Sequence, residues 1–286
     1  MLRRLRRLDP FDRVFMLSVP VAVTAFWINE ARPSSESRLA QPARQCSYPR
    51  SAEIVDAGVT AELARHSIVE LRGVLRPTEL AAARHDVAQL IVELDAFGST
   101  GNHEDIRQDR VAWVQSSDET AANSAPKRAG LEHCVRLLRG VAHALQLSDT
   151  RRDVRLHMVP LDCQLATFRG DKLAGYRAHR DTAPGGWEAV RDLGPLGFLR
   201  ARDERRRIVT AILYLNESDW DSGGELACYL GAEPGDDQGS TATEVRRIVP
   251  TGGTLLLFDS TTILHAVEPS RADRYALTAW IWDATA

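Results

Sequence analysis

The chain has 286 residues, 44% of them hydrophobic and 26% charged, with a formal net charge of −3. This is globular composition, long enough to bury one sizeable core with appendages or, at a stretch, two. A mild negative charge gives no electrostatic reason to expect nucleic acid as a partner. Four cysteines, Cys46, Cys134, Cys163 and Cys228, are scattered with no CxxC pair. That argues against a disulfide framework or a structural zinc site and for reduced thiols.

Arg3, Arg4, Arg6 and Arg7 precede an apolar run from Val14 to Ile28 that Pro20 interrupts. The run is shorter than the roughly 18 residues of a membrane span and closer to a signal-peptide core. Asp9 and Asp12 count against a mitochondrial presequence, and no A-x-A cleavage site follows. Residues 1–30 therefore fit either a targeting segment or an uncleaved leader, and membrane contact is expected only through this run. An intracellular catalytic domain is the expectation, with secretory or organelle targeting as the alternative. Ala31–Arg50, rich in Ser, Arg, Gln and Pro, reads as a linker, so residues 1–50 form a leader and 51–286 the folded domain.

His66–Leu75 alternates like a strand. Pro77 opens a predicted helix to about Leu94, with Leu80, Ala83, Val87, Leu90, Ile91 and Leu94 along one stripe. Phe97-Gly98 ends it. A second helix fits Leu131–Leu147, with Val135, Leu138, Val141 and Leu145 inward. After Asp153 the pattern changes to short extended runs: Val154–Val159, Gln164–Phe168, Ala174–His179, Ile208–Asn216, Glu225–Leu230, Glu244–Ile248, Thr254–Phe258, Ile263–Pro269 and Tyr275–Trp282. Turn signals such as Asp221-Ser222-Gly223-Gly224 and Thr251-Gly252-Gly253 separate them. The expectation is a mainly β, α+β chain: an antiparallel jelly roll over about 153–283, with the two helices covering one sheet.

His179 and Asp181, two apart at a strand end, point the same way. His265 supplies a third donor far along the chain. Two imidazoles and one carboxylate suit a non-haem Fe(II) oxygenase with open coordination positions. Arg274, nine residues past His265 on the returning last strand, offers a guanidinium that can hold a carboxylate bidentately, as lysine cannot. Tyr214, in the Ile208–Asn216 strand, can donate its hydroxyl to the same group.

Several blocks then resemble the 2-oxoglutarate- and Fe(II)-dependent prolyl 4-hydroxylases, most closely the hypoxia-factor type. Asp105–Val114 looks like that group's I-R-x-D-x-x-x-W segment, and Tyr176–Asp181 carries its H-x-D. His265–Pro269 with Arg274–Trp280 looks like its H-x-V-x-P…R-Y-A-x-T-x-W ending. Leu213–Asn216, Asp219-Trp220 and Gly223–Leu226 match its Y-L-N…W…G-G segment in order.

The resemblance, from about Ser67 to Asp283, implies a double-stranded β-helix and iron ligands His179, Asp181 and His265. It implies that Arg274 and Tyr214 anchor the distal carboxylate of 2-oxoglutarate, with Thr278, Val267, Trp280 and Ile212 lining that pocket. Asp109 and Arg207 match a pair near the substrate entrance, and Trp187 lies in the segment that closes over a peptide. It implies Fe(II), 2-oxoglutarate and O₂, ascorbate as reductant, and a proline-containing peptide or protein as substrate.

There are departures. Thr182–Arg206 is longer than in the hypoxia-factor enzymes, Phe168 stands where they often place tyrosine, and Ala286 follows closely on the last strand. Three alternatives stay open: a 2-oxoglutarate oxygenase acting on a free amino acid or other small molecule, a non-catalytic jelly-roll binding module, and a zinc hydrolase. Against the last, no H-E-x-x-H occurs and Arg274 would have no purpose.

Overall fold

Two facing antiparallel sheets carry the fold in this computed structural model, which describes residues 40–93, 98–99, 108–115, 128–148, 156–182 and 207–283. In chain order the helices are α1 (Pro49–Ile54), α2 (Ala57–His66), α3 (Pro77–Glu93) and α4 (Ala129–Ser148). The strands are β1 (Ala40–Pro42), β2 (Ile68–Leu71), β3 (Gly98–Ser99), β4 (Arg110–Gln115), β5 (Leu156–Pro160), β6 (Asp162–Phe168), β7 (Tyr176–His179), β8 (Arg207–Tyr214), β9 (Leu226–Leu230), β10 (Glu244–Ile248), β11 (Leu255–Asp259), β12 (Leu264–Val267) and β13 (Arg274–Asp283). The major sheet runs β2-β11-β8-β13-β6-β4-β3, with β5 beside the end of β13 and β1 beside β5. The minor sheet runs β10-β9-β12-β7. This is the expected double-stranded β-helix.

Alternation along the major sheet sorts side chains into two cores, as the two-residue period of a strand requires. Ala211 and Leu213 of β8, Leu255 and Leu257 of β11, and Leu277, Ala279 and Ile281 of β13 pack against α3 and α4. Ile212, Tyr214, Leu256, Phe258 and Ala276 face the minor sheet. On α4, Leu131, Val135, Leu138, Val141, Ala142 and Leu145 recur at three and four and are all buried. Burial of each large aliphatic side chain contributes roughly 1.5–3 kcal/mol over exposure. The helices thus cover one sheet, as the stripes in the sequence predict.

The first turn of α4 leaves amides without intrahelical partners. The buried Asp86 of α3 satisfies two of them: its Oδ2 accepts from Gly130 N at 2.7 Å and Leu131 N at 3.0 Å. A Cβ at Gly130 would lie 2.4 Å from the backbone of Ala82 and Ala83, so only glycine permits this approach of the two helices.

Two expectations change. The fold begins earlier than Ser51: Ala40–Pro42 pairs with Met158–Pro160, and Ala43 and Cys46 are buried in the helical core. His66 ends a helix rather than opening a strand, because Asp56 caps α2 through Val59 N at 2.9 Å and Ser67 closes it in the left-handed region at φ 61°. The strand there contracts to Ile68–Leu71. Arg110–Gln115 is a strand between β3 and β6. No helix among the described residues is long and apolar enough to cross a membrane, so nothing described bears out membrane contact. The run at 14–28 that prompted that expectation lies outside the described residues, as do Trp187 and most of the 182–206 segment.

Candidate metal centre

His179 ends β7, and His265 sits opposite it in the register of β7 on β12, so pairing within the minor sheet sets the two imidazoles side by side. Their ring centroids are 4.3 Å apart. Asp181 follows β7 by two residues and turns its carboxylate to both rings: His179 Nε2 lies 3.7 Å from Oδ1 and His265 Nε2 3.9 Å from Oδ2. All three donor atoms fall within 4.8 Å of one another.

The chemistry of this donor set fits a divalent ion. His179 Nδ1 lies 2.9 Å from Arg177 O and His265 Nδ1 3.1 Å from Ile263 O. A backbone carbonyl can only accept, so each Nδ1 donates to it, and Nε2, turned to the carboxylate, is the ring nitrogen available to a metal. Metal–ligand bonds of about 2.1 Å place donors at most about 4.2 Å apart, so small side-chain rotations close the set.

Asp181 is held from the major sheet. Thr210 Oγ1 donates to its Oδ2 at 2.6 Å, which commits the Thr210 proton. Ser260 Oγ, 2.8 Å from Thr210 Oγ1, is then the donor in that second bond. Arg207 Nη1 donates to Asp181 O at 3.2 Å, and Thr182 Oγ1 to Arg207 O at 3.1 Å. Burial alone would raise the Asp181 carboxyl, but His265, His179, Arg207 and the Thr210 hydroxyl outweigh it and hold it below the usual carboxylate range.

Register in the major sheet arranges the remaining candidates in rows that face the minor sheet. Trp280 stands opposite Thr210, Thr278 opposite Ile212, and Ala276 opposite Tyr214 on β13 and β8; Arg274 stands opposite Phe168 on β6. The row of Thr210 carries the triad, the row of Thr278 and Ile212 comes next, and Tyr214 and Arg274 lie beyond. Val267, on β12, closes the same interior from the minor sheet.

Arg274 is 2% exposed, with its guanidinium carbon 5.1 Å from the ring centroids of both Phe168 and Tyr214. Its Nε donates to Gly224 O at 2.8 Å, and the guanidinium also interacts with the Tyr214 hydroxyl. Burial pulls the group below its ordinary value, opposed by Tyr214 and Asp109, yet an arginine stays cationic at neutral pH. Tyr214 is fully buried, and its hydroxyl finds no hydrogen-bond partner of ordinary geometry among the described residues. Burial pushes the phenol up, with Arg274 pulling the other way. A buried cation beside a buried phenol is a pair of donors whose chemistry suits a small carboxylate.

The other expectations fare unequally. Trp280 lies under the Arg207 guanidinium, 4.1 Å from its carbon, and 6.4 Å from the ring of Trp113. On β13 it stands opposite Thr210. Asp109 and Arg207 are both buried, and Arg207 reaches Trp280 and the Asp181 carbonyl. Sequence reasoning missed Thr210, Ser260 and Gly224. Alternation already placed Thr210 on the face of Ile212 and Tyr214; its tie to Asp181 needed the third dimension.

Residues 163–282 match the family model described as the 2OG-Fe(II) oxygenase superfamily. Comparison with curated proteins gives no match. Among solved structures the fold is similar to a prolyl-4-hydroxylase from Pseudomonas putida (22% identity over 79% of this chain and 97% of that one, TM-score 0.56). It is also similar to a prolyl hydroxylase from Trichoplax adhaerens, in complex with a hypoxia inducible factor peptide fragment (22% identity, 82% and 90% coverage, TM-score 0.58). A third likeness is to SnoK, described as a non-haem alpha-ketoglutarate-dependent carbocyclase from nogalamycin biosynthesis (15% identity, 82% and 86% coverage, TM-score 0.52).

The fold is thus similar to that of the prolyl hydroxylases, and residues 163–282 are similar to the 2OG-Fe(II) oxygenase superfamily. The matched segment contains His179, Asp181, His265 and Arg274, so the part of the chain similar to the 2OG-Fe(II) oxygenases is the part that carries the candidate site.

Proposed function

We propose that the protein hydroxylates C4 of prolyl residues in a peptide or protein, with His179, Asp181 and His265 holding Fe(II) and Arg274 and Tyr214 holding 2-oxoglutarate. The observation that carries the cofactor assignment is the buried Arg274 guanidinium, without an ion-paired carboxylate among the described residues, beside the buried Tyr214 hydroxyl and in the same interior as the triad. The substrate assignment draws on the likeness to two prolyl hydroxylases, one of them bound to a peptide.

Bound iron with 2-oxoglutarate and O₂ supplies the oxidative decarboxylation that yields succinate and CO₂ and delivers one oxygen atom to an unactivated C–H bond. The chain contributes orientation and charge. The carbonyls of Arg177 and Ile263 lock both imidazoles as Nε2 ligands. Thr210 fixes the Asp181 rotamer and keeps its carboxylate anionic. Arg274 takes the distal carboxylate through its remaining N–H groups while Tyr214 donates to it, and Thr278 and Ile212 flank the methylenes between. Phe168 and Phe258 keep that volume dry, which strengthens each of these contacts.

The test incubates the protein with Fe(II), 2-oxoglutarate, O₂, ascorbate and proline-containing peptides, measuring succinate and a one-oxygen mass gain on proline. His179→Ala and His265→Ala should abolish both. Arg274→Ala should raise the 2-oxoglutarate KM about ten- to a hundredfold, the loss expected for a charged hydrogen-bonding group; an unchanged KM refutes the anchor. The likeness to SnoK favours a small-molecule substrate as the second reading. Succinate formed with a small molecule but with no peptide decides for it.

A further inference from the structure

Arg180 stands between His179, the last residue of β7, and Asp181, and its guanidinium is bonded away from both. It cannot touch the ion. Its guanidinium instead reaches the loop joining β9 and β10: Nη1 donates to Asp236 O at 2.9 Å, and Nη2 to Ala232 O at 3.1 Å and Glu233 O at 3.0 Å. Three carbonyls converge on one cation with no carboxylate among them, and such charge-assisted bonds are roughly twice as strong as neutral ones.

The loop is built to present those carbonyls. The Asp236 carboxylate accepts from Gln238 N at 3.0 Å, Gly239 N at 2.9 Å, Thr241 N at 2.8 Å and Thr241 Oγ1 at 2.6 Å. Glu233 N donates across the loop to Thr241 Oγ1 at 2.9 Å. At φ 75° Gly239 lies flat on Tyr229, where a Cβ would come within 2.2 Å of the ring. The loop is thus a folded unit seated on β9, and β9 pairs directly with the strand that carries His265.

We propose that Arg180 is a positioning residue for the metal centre: it fastens the backbone between His179 and Asp181 to the β9–β10 loop, so that one folded loop sets the spacing of two ligands against the third. The proposal rests on the reading that these side chains hold the metal. His265 is fixed by β12 on both flanks, whereas β7 is an edge strand and Asp181 lies beyond its last residue. Without the Arg180 tie, the only bonds described at residues 181 and 182 run to Arg207, Thr210 and Ser260 of the opposite sheet.

Isothermal titration of the metal-free full chain with Co(II) or Mn(II) tests it, together with the visible spectrum of the Co(II) form. Arg180→Ala should weaken metal binding about tenfold, the lower end of what loss of an outer partner costs a metal site, and alter the Co(II) bands. Arg180→Lys, which keeps the charge but not the fork, should recover part of the affinity. Asp236→Ala, which unfolds the loop without touching the ligand stretch, should weaken binding in the same direction. Wild-type affinity and spectrum in Arg180→Ala and Asp236→Ala, with only a lower melting temperature, would reduce Arg180 to a loop anchor and overturn the proposal. Co(II) affinity unchanged in His179→Ala would instead remove the metal reading itself.

Discussion

At the scale of single residues, the centre depends on protons being in fixed places. Thr210 gives its only proton to Asp181 and receives one from Ser260, so the Asp181 carboxylate is oriented by a two-hydroxyl relay from the major sheet. Thr210→Val has nearly the same shape but no hydrogen to give. It should weaken Mn(II) or Co(II) binding about tenfold, as loss of an outer-shell hydrogen bond does, while Thr210→Ser should stay near wild type. Equal affinity in the two variants would show that the bond is incidental. Gly224 holds the other end of the pocket. At φ 71° its carbonyl accepts from Arg274 Nε, and a Cβ would meet Ser270 Cβ at 2.9 Å and Arg274 Cδ at 3.0 Å. Gly224→Ala should therefore raise the 2-oxoglutarate KM with little change in metal affinity; a KM equal to wild type would mean that Arg274 finds its place unaided.

At the scale of elements, two helix contacts carry stability that no site residue shares. Asp86 caps α4 from α3 with a buried carboxylate, so Asp86→Ala should lower stability by about 1–2 kcal/mol, read from urea or thermal unfolding. A loss near zero would mean that the α4 amides find water instead. The second contact is pH-dependent. His133 of α4 takes the Tyr48 hydroxyl on Nδ1 at 2.7 Å and faces Glu79 through Nε2 at 3.7 Å. Burial lowers its pKa from the ordinary 6.5, Glu79 pulling it up and Arg76, Arg50 and Arg136 pulling it further down. The folded state therefore prefers neutral imidazole, and the unfolded chain takes up the proton first. This contribution is full above 6.5 and is lost as pH falls from 6.5 toward the lowered value. The melting temperature of His133→Gln should fall less steeply between pH 7 and 5.5 than that of wild type; parallel curves would exclude His133 as the titrating group.

The same elements show what was legible before any coordinates. The extended run Tyr275–Trp282 and the apolar stripe on Leu131–Leu147 gave β13 and α4, which are long and buried over nearly their whole length. The helix at Ala57–His66 escaped because it buries no residue fully, so its periodicity carries little contrast. The β1 pairing escaped because three residues have no period to read. His179, Asp181, His265 and Arg274 were legible as spaced motifs, whereas Thr210, Ser260 and the Arg180 tie are contacts between distant segments whose residue types are common everywhere.

At the scale of the molecule, the site is also a joint. His179 and His265 belong to the minor sheet, Thr210, Tyr214 and Arg274 to the major one, and Asp181 lies on the chain leaving the minor sheet while bonded to the major. The four cysteines are free, so no disulfide described ties the sheets together. An ion held by both histidines and Asp181, and a 2-oxoglutarate reaching from it to Arg274, would connect the two sheets through the interior. Ligands that bind only the folded state stabilise it by mass action, by about 2.7 kcal/mol at a hundredfold excess over Kd. For a domain of this size that corresponds to a rise in melting temperature of roughly 5–10 °C. Metal-free protein should show this rise with Mn(II) and 2-oxoglutarate together and lose it on adding a chelator. His179→Ala should abolish the metal-dependent part. Arg274→Ala should keep that part and lose the 2-oxoglutarate increment, since the two ligands hold to different sheets. A rise of the same size in His179→Ala would place the ion elsewhere, and the joint would not exist.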